Sequence, residues 1–340
     1  MSDETRDEPK SPADGGADGG AEGDGGEPRL TEDPVERDRP SHVETPAGRG
    51  RQLVAAALGV VALGGVIMIA VHRAKPPARC PDGLVAMSSR CCGEGQALED
   101  GRCAGTPTRC SEELQIAQEG CVPENARIAV SGGKLELIPY DWEAAQQGVP
   151  PYEAQVESFA IDRYEVTERQ WRACVEAKAC DELPLSGEPG RPVVGVTVPE
   201  AERYCRHVGG ALPTKAQWAF AATGTEGRRY PWGDTGAVCR RAAFGLAGGP
   251  CGEGMGTGPD LAGSHPDGAT PSGVHDLAGN VAEWTAPLTE GKNAGKSAVR
   301  GGSWRDMTAT DLRTWNERLM APHAREDDVG FRCAYPAEGG

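Results

Sequence analysis

Aromatic side chains are absent from the first 139 residues: all 7 Trp, 6 Tyr and 4 Phe lie at Tyr140 or beyond. That absence excludes a large conventional core from the N-terminal part and leaves it to roughly the last 200 residues. Cysteine is absent before Cys80, although the chain holds 12, an even number. Basic charge is scarce. The 35 Lys and Arg stand against 51 Asp and Glu, a net charge of −16, which excludes the basic footprint that nucleic-acid binding needs. Histidine is rare too: the six, at 42, 72, 207, 265, 275 and 323, include no two that are four residues apart, and no Gly-x-Ser-x-Gly occurs. Ser/His/Asp hydrolysis therefore has no support. His265 and His323 sit in polar loop contexts and are expected as solvated rings.

Residues 1–51 carry 14 Asp and Glu, 7 Lys and Arg, and many Gly and Pro. Such a stretch cannot offset its ordering entropy by burial, and an acidic disordered tail is expected. Leu53–Val71 follows, 19 residues without a charge. At about 1.5 Å per residue it spans a hydrocarbon core of about 30 Å, so residues 52–72 are expected to form a single transmembrane helix. The charged leader is too long for a cleaved signal peptide. The positive-inside rule returns a tie, with Arg37, Arg39, Arg49 and Arg51 on one side and Arg73, Lys75, Arg79 and Arg90 on the other. Cysteine usage breaks the tie, because disulfides persist in oxidising compartments. The N-terminus is expected in the cytoplasm and the rest in the periplasm or outside, as in an envelope protein anchored in the cell membrane. Residues 80–122 hold six cysteines (80, 91, 92, 103, 110 and 121) and no aromatic side chain. A module that small needs staples. Three disulfides are expected, with fifteen connectivities open; zinc is the rival, but the segment has no His and no Cys-x-x-Cys.

A different domain occupies residues 126–336. Ile128–Val130 and Lys134–Pro139 flank Gly132–Gly133 and read as a hairpin; Phe159–Val166 suits another strand. Thr167 and Gln170 form a capping box ahead of a helix carrying Trp171, Cys174, Val175 and Ala179 at helical spacing. A second helix begins at Pro199, presents Ala201, Tyr204, Cys205 and Val208, and ends at Gly209–Gly210. A third, from Thr214, repeats the box with Gln217 and buries Trp218, Ala221 and Ala222. Asp162, Arg163 and Glu165 on one strand are expected to join a structural ion-pair network. Beyond Gly224 the chain is rich in Gly, Pro and Asp. Within it lies His275–Trp284, H-D-L-A-G-N-V-A-E-W, a loop entering a strand. Carbonyls along a strand point the same way every second residue, so Gly279 and Val281 can join the carboxylates of Asp276 and Glu283 as oxygen ligands for Ca²⁺. Two solvated acids on a turn are the alternative.

Several motifs in one order resemble the formylglycine-generating enzyme (sulfatase-modifying factor) family. They are Phe159-x-Ile-Asp-x-Tyr-Glu-Val-Thr167, Tyr204-Cys205, Leu212-Pro-Thr-Lys-Ala-Gln-Trp218, Tyr230-Pro-Trp-Gly233, His275–Trp284, Arg300-Gly-Gly-Ser-Trp304 and Gly330-Phe-Arg-Cys333. The resemblance implies an α+β fold related to C-type lectins with little regular secondary structure. It implies a structural Ca²⁺ site at Asp276, Gly279, Val281 and Glu283, and a Cys205–Cys333 disulfide. The family's other calcium site is not matched, since the loop Cys239-Arg-Arg-Ala-Ala-Phe244 lacks the expected Asn. Proximity in sequence suggests Cys174–Cys180 and Cys239–Cys251 for the remaining cysteines.

The family's oxidase converts a substrate cysteine to formylglycine with O₂ and Cu(I), and soft Cu(I) selects thiolates. The resemblance implies two active-site cysteines five residues apart, shortly after the Gly-Gly-Ser motif. Here those positions are Asp306 and Asp311, beside Ser303. Carboxylates are hard ligands and do not make a linear dithiolate site, so copper is not expected. Another branch of the family forms carbon–sulfur bonds at a non-haem iron held by His-x-x-x-His-x-Glu, and the histidine spacing here excludes it. The expectation is a non-oxidase binding module. Trp232, Trp304, Trp315 and Arg318 would line one groove for a peptide, protein or glycan ligand. The alternative is an enzyme, either the oxidase itself or a divergent activity built on Asp306 and Asp311 as an acid pair.

Overall fold

Three Thr-led capping boxes start the three principal helices; the first two bury one stripe of their surface, and the third is buried on every side from Trp218 to Thr223. The computed structural model describes residues 80–337, apart from 81–82, 88–89, 100–101, 111–113, 118–119, 125, 139–141, 148 and 253–257. The acidic tail (1–51) and the apolar run (52–72) lie outside the described residues. Among the described residues no helix is long and apolar enough to cross a membrane.

Residues 80–123 form three hairpins. They are β1 (Leu84–Met87) with β2 (Arg90–Gly93), β3 (Ala97–Glu99) with β4 (Arg102–Ala104), and β5 (Leu114–Ala117) with β6 (Gly120–Pro123). Cys92–Cys103 and Cys110–Cys121 close two of them, each across a sequence separation of 11, and Cys80 is disulfide-bonded as well. Loops of this size are stabilised by roughly 3 kcal/mol each in the chain-entropy model. Cys80 and Cys91 stand at the same spacing. The module is thus an internal repeat, Cys-x₁₀-Cys three times over: the segment between each pair supplies the first strand of a hairpin, and the second strand carries the closing cysteine. It rests against the larger domain: Leu84, Leu114 and Cys121 pack with Leu261. A Cβ at Gly190 would stand 2.2 Å from the Cys121 carbonyl oxygen.

The larger domain begins with β7 (Arg127–Val130) and β8 (Gly133–Leu137), followed by α1 (Trp142–Gln147), β9 (Tyr152–Val156) and β10 (Phe159–Asp162). The expected β7–β8 hairpin does not form. β7 pairs with β10, and β8 pairs with β9, both antiparallel. Gly132 is there for proximity rather than for a turn, since a Cβ would lie 2.3 Å from the Val156 carbonyl oxygen. The helices follow the sequence closely: α2 (Glu168–Glu176), α3 (Val198–His207) and α4 (Lys215–Thr223). Thr167 with Gln170 and Thr214 with Gln217 cap as expected. α3 carries a third box, Thr197 with Glu200, one residue earlier than Pro199 suggested.

The C-terminal part supplies β11 (Ala282–Pro287), β12 (Ser297–Arg300), β13 (Glu317–Met320), β14 (Val329–Gly330) and β15 (Ala334–Pro336). Strands β13-β12-β11-β14 make one sheet, with β11 and β14 parallel, and β15-β10-β7 make another. Two clusters hold most of the core. In one half Trp171 stacks on Tyr204 at 5.8 Å, and Phe331 meets both rings edge-on. The Cys205–Cys333 disulfide locks α3 to the Phe331 segment. The other half gathers Trp218, Phe220, Ile161 and Leu277. Each such fully buried side chain contributes about 1.5–3 kcal/mol. Cys174–Cys180 and Cys239–Cys251 form as proximity suggested, and no described cysteine is free.

Candidate functional site

The stretch His275–Trp284 turns sharply before it enters β11. Asp276, Gly279 and Asn280 all take positive φ, at 55°, 82° and 60°. Glycine is required at 279, because a Cβ would meet the Ala243 carbonyl oxygen at 2.5 Å. The turn fastens the Gly-Gly-Ser loop: Gly279 N–H donates to the Gly301 carbonyl, and the Asn280 carbonyl accepts from Trp304 N–H. Asn280 joins two further segments through its side chain, donating to Glu165 at 2.7 Å and accepting from Asp260 N–H at 2.9 Å.

Glu283 is fully buried, and both of its oxygens are taken. Arg332 Nε donates to the two oxygens at 3.0 and 2.9 Å, Arg332 Nη2 to one at 2.6 Å, and Trp218 Nε1 to the other at 2.7 Å. A carboxylate has about four lone-pair sites, and these contacts fill them. The ligand set expected for calcium therefore loses its second carboxylate to a guanidinium. Asp276 accepts from Gly263 N–H at 2.6 Å. Glu165 is pushed well above the usual carboxylate range, first by burial and then by the charges of Asp276 and Glu283. The residues present do not fit the expected calcium set. Among the described residues, no three His, Cys, Asp or Glu side chains group as a metal site.

Arg332 is the centre that the sequence reading missed. Besides Glu283 it donates to the carbonyls of Asp162, Arg163 and His275. Asp162, expected in an ion-pair network, instead accepts from Cys333 N–H and Tyr335 Oη, each at 2.9 Å. Burial raises its carboxyl to about 6. His265 is not a solvated ring: it is 4% exposed and its Nε2 lies 3.0 Å from Asp260. His323 is exposed as expected.

Ser303 is fully buried between two carboxylates. Its Oγ lies 3.2 Å from Asp306 Oδ2 and 3.0 Å from Asp328 Oδ2. One hydroxyl proton serves only one acceptor, and burial raises the Asp306 carboxyl. Asp306 also accepts from Ser303 N–H at 2.6 Å. Asp311 makes its side-chain hydrogen bonds elsewhere, although its charge also raises the Asp306 carboxyl. It caps the short turn Ala309–Leu312, accepting from Thr308 N–H at 3.2 Å and from Thr308 Oγ1 at 2.7 Å.

The four residues expected at a groove take different settings. Trp232 stacks on Tyr230 at 5.1 Å and donates to the Thr235 carbonyl, closing its own turn. Arg318 on β13 donates to Asp328 at 3.0 Å. Trp315 lines a cavity of about 350 Å³. Trp304 lines a different one, of about 730 Å³, with Arg305, Asp327, Pro184, Leu185 and Pro192. Trp304 is 4% exposed and its indole N–H has no acceptor, while Arg305 lies over its ring at 4.9 Å.

A model of the sulfatase-modifying factor enzyme 1-like domain matches residues 114–337. The chain is 35% identical over 153 residues to the inactive C-alpha-formylglycine-generating enzyme 2 of Bos taurus, covering 42% of this chain and 50% of that protein. It is 28% identical over 270 residues to the hercynine oxygenase of Mycolicibacterium thermoresistibile, covering 62% and 57%. It is 30% identical over 177 residues to the formylglycine-generating enzyme of Streptomyces coelicolor, covering 45% and 55%. The chain thus spans about half the length of these curated relatives.

Proposed function

The chain belongs to the sulfatase-modifying factor enzyme 1-like domain family, and from that premise we propose that it is a binding module rather than a formylglycine-generating oxidase. One observation carries the reading. The two side chains at the expected thiolate positions are carboxylates turned back onto their own loop, Asp306 onto Ser303 and Asp311 onto Thr308. Every described cysteine is already bonded to another. No sulfur pair remains for Cu(I), which needs soft ligands, so the residues do not fit that metal. The same geometry weakens an acid-pair enzyme, since Asp311 is engaged as a helix cap. Relatives named as inactive and as enzymes agree with a fold on which chemistry is separable from shape.

The ligand surface of this proposal is the 730 Å³ cavity at Trp304. Prolines and aliphatic side chains form its walls, and charged Arg305 and Asp327 stand at it. An extended peptide suits it: a backbone carbonyl would accept the unpaired Trp304 N–H, and proline-rich or apolar side chains would fill the walls. A buried donor without an acceptor costs about 1–3 kcal/mol, which such a ligand recovers on binding. The wider setting belongs to the proposal too. Leu53–Val71 serves as a membrane anchor with the N-terminus cytoplasmic, and the disulfides support an exported C-terminal part.

A peptide array probed with the purified chain, followed by titration of the best binder, tests this reading. Trp304→Phe keeps the ring and removes the N–H. It is expected to weaken the peptide about tenfold, the equivalent of about 1.4 kcal/mol. Equal affinity for the variant, or binding of oligosaccharides alone, would overturn the peptide assignment.

A further inference from the structure

The 350 Å³ cavity offers a charge balance that the protein leaves open. Its charged walls are Lys215, Arg300 and Glu317, and the rest is mostly apolar and aromatic, with Pro151, Tyr152 and Trp315. Glu317 is shared. One oxygen meets Lys215 Nζ at 2.7 Å, and the other accepts from Arg300 Nη1. One carboxylate against two cations leaves a surplus of one positive charge, in a chain whose net charge is −16.

Two further observations point the same way. The Arg300 side chain is 0% exposed. Its Nη2 donates to the Thr314 carbonyl at 2.6 Å, yet its Nε–H has no acceptor. A buried donor of this kind is ordinarily satisfied. Lys215 is the first residue of α4, and that helix has no acid in its first turn. The partial positive charge of a helix N-terminus therefore adds to the lysine instead of being offset.

We propose that this cavity is a binding site for a small organic monocarboxylate. Its head would sit between Lys215 and Arg300, and its compact apolar body would lie along Pro151 and Trp315. The volume falls near the lower end of small-molecule sites, which fits a single ring and a short chain. A monoanion matches the surplus of one, whereas a phosphate dianion exceeds it. The site is independent of the peptide cavity at Trp304.

Calorimetric titration of the full chain with 3-phenylpropionate, its neutral amide and inorganic phosphate tests the proposal. The acid is expected to bind with a Kd of about 1 mM or tighter, and the amide at least about tenfold more weakly. Phosphate is expected to match the amide and no better. Lys215→Met retains the side chain's stem and should lower acid affinity about tenfold without altering the amide, whereas Lys215→Arg should preserve acid binding. Thermal melts of both variants show whether the fold is intact. Equal affinity for acid and amide would overturn the assignment, as would preferential phosphate binding, acid binding indifferent to Lys215→Met, or no heat at about 10 mM acid.

Discussion

Replacing Glu283 with Gln separates two accounts of the most conspicuous loop in the chain. If Glu283 is a calcium ligand, the loss of stability appears only when calcium is present. If it is the buried counter-charge of Arg332, the loss appears in chelator as well. The geometry favours the second, because Arg332 and Trp218 between them make four contacts to the carboxylate and both charged side chains are 0% exposed. Removing one partner of a buried pair leaves the other uncompensated, at a cost of about 3–5 kcal/mol. For a domain of this size each kcal/mol moves the melting temperature by about 2–4 °C, so a fall on the order of 10 °C is expected. Near-UV circular dichroism melts of both proteins, in calcium and in chelator, provide the assay. A deficit of similar size in both buffers is predicted. A deficit confined to calcium would refute the reasoning and restore the ligand role.

Asp162→Asn should flatten part of the pH dependence of stability. The wild-type carboxyl is raised from 3.8 to about 6, so the folded state holds a proton that the unfolded chain has released. Its contribution is complete below about pH 4 and is lost as pH rises through 6, by on the order of 3 kcal/mol. Denaturant titrations of both proteins from pH 4 to 7 measure the difference. Gly190→Ala forces a Cβ onto the Cys121 carbonyl and should loosen the cysteine-rich module, at about 1–3 kcal/mol. Faster proteolytic cleavage between Pro123 and Arg127, with an unchanged core melt, is the expected outcome.

Where local chemistry decides the structure, the sequence was a sound guide. The capping boxes at Thr167 and Thr214 start helices because their side chains satisfy otherwise unpaired backbone N–H groups. The near-neighbour disulfides followed from chain proximity. Where backbone approach decides, the signals were ambiguous. Gly132–Gly133 reads as a turn, yet Gly132 is there because Val156 passes too close for a side chain. The Cys-x₁₀-Cys spacing stands in the sequence, but spacing alone leaves the pairing open. Beyond the Cys205–Cys333 bridge that the family resemblance implied, long-range pairing was not legible. Nothing near Glu283 announces that its partner lies 49 residues on, so a carboxylate that completes a salt bridge looks like one free for a cation. The tryptophans flanking the Gly-Gly-Ser motif diverge for a similar reason: the loop folds back through Asp306 and Asp311, and neighbours in sequence open onto different cavities.

Among the described residues no free thiol pair stands beside Ser303. The most direct measurement is to load the reduced-copper form under anaerobic conditions, add a Cys-x-Pro-x-Arg peptide, admit O₂ and follow aldehyde formation by mass spectrometry. The expected result is no stoichiometric Cu(I) binding and an unmodified peptide. Copper bound at about one equivalent, with formylglycine appearing in the peptide, would contradict it.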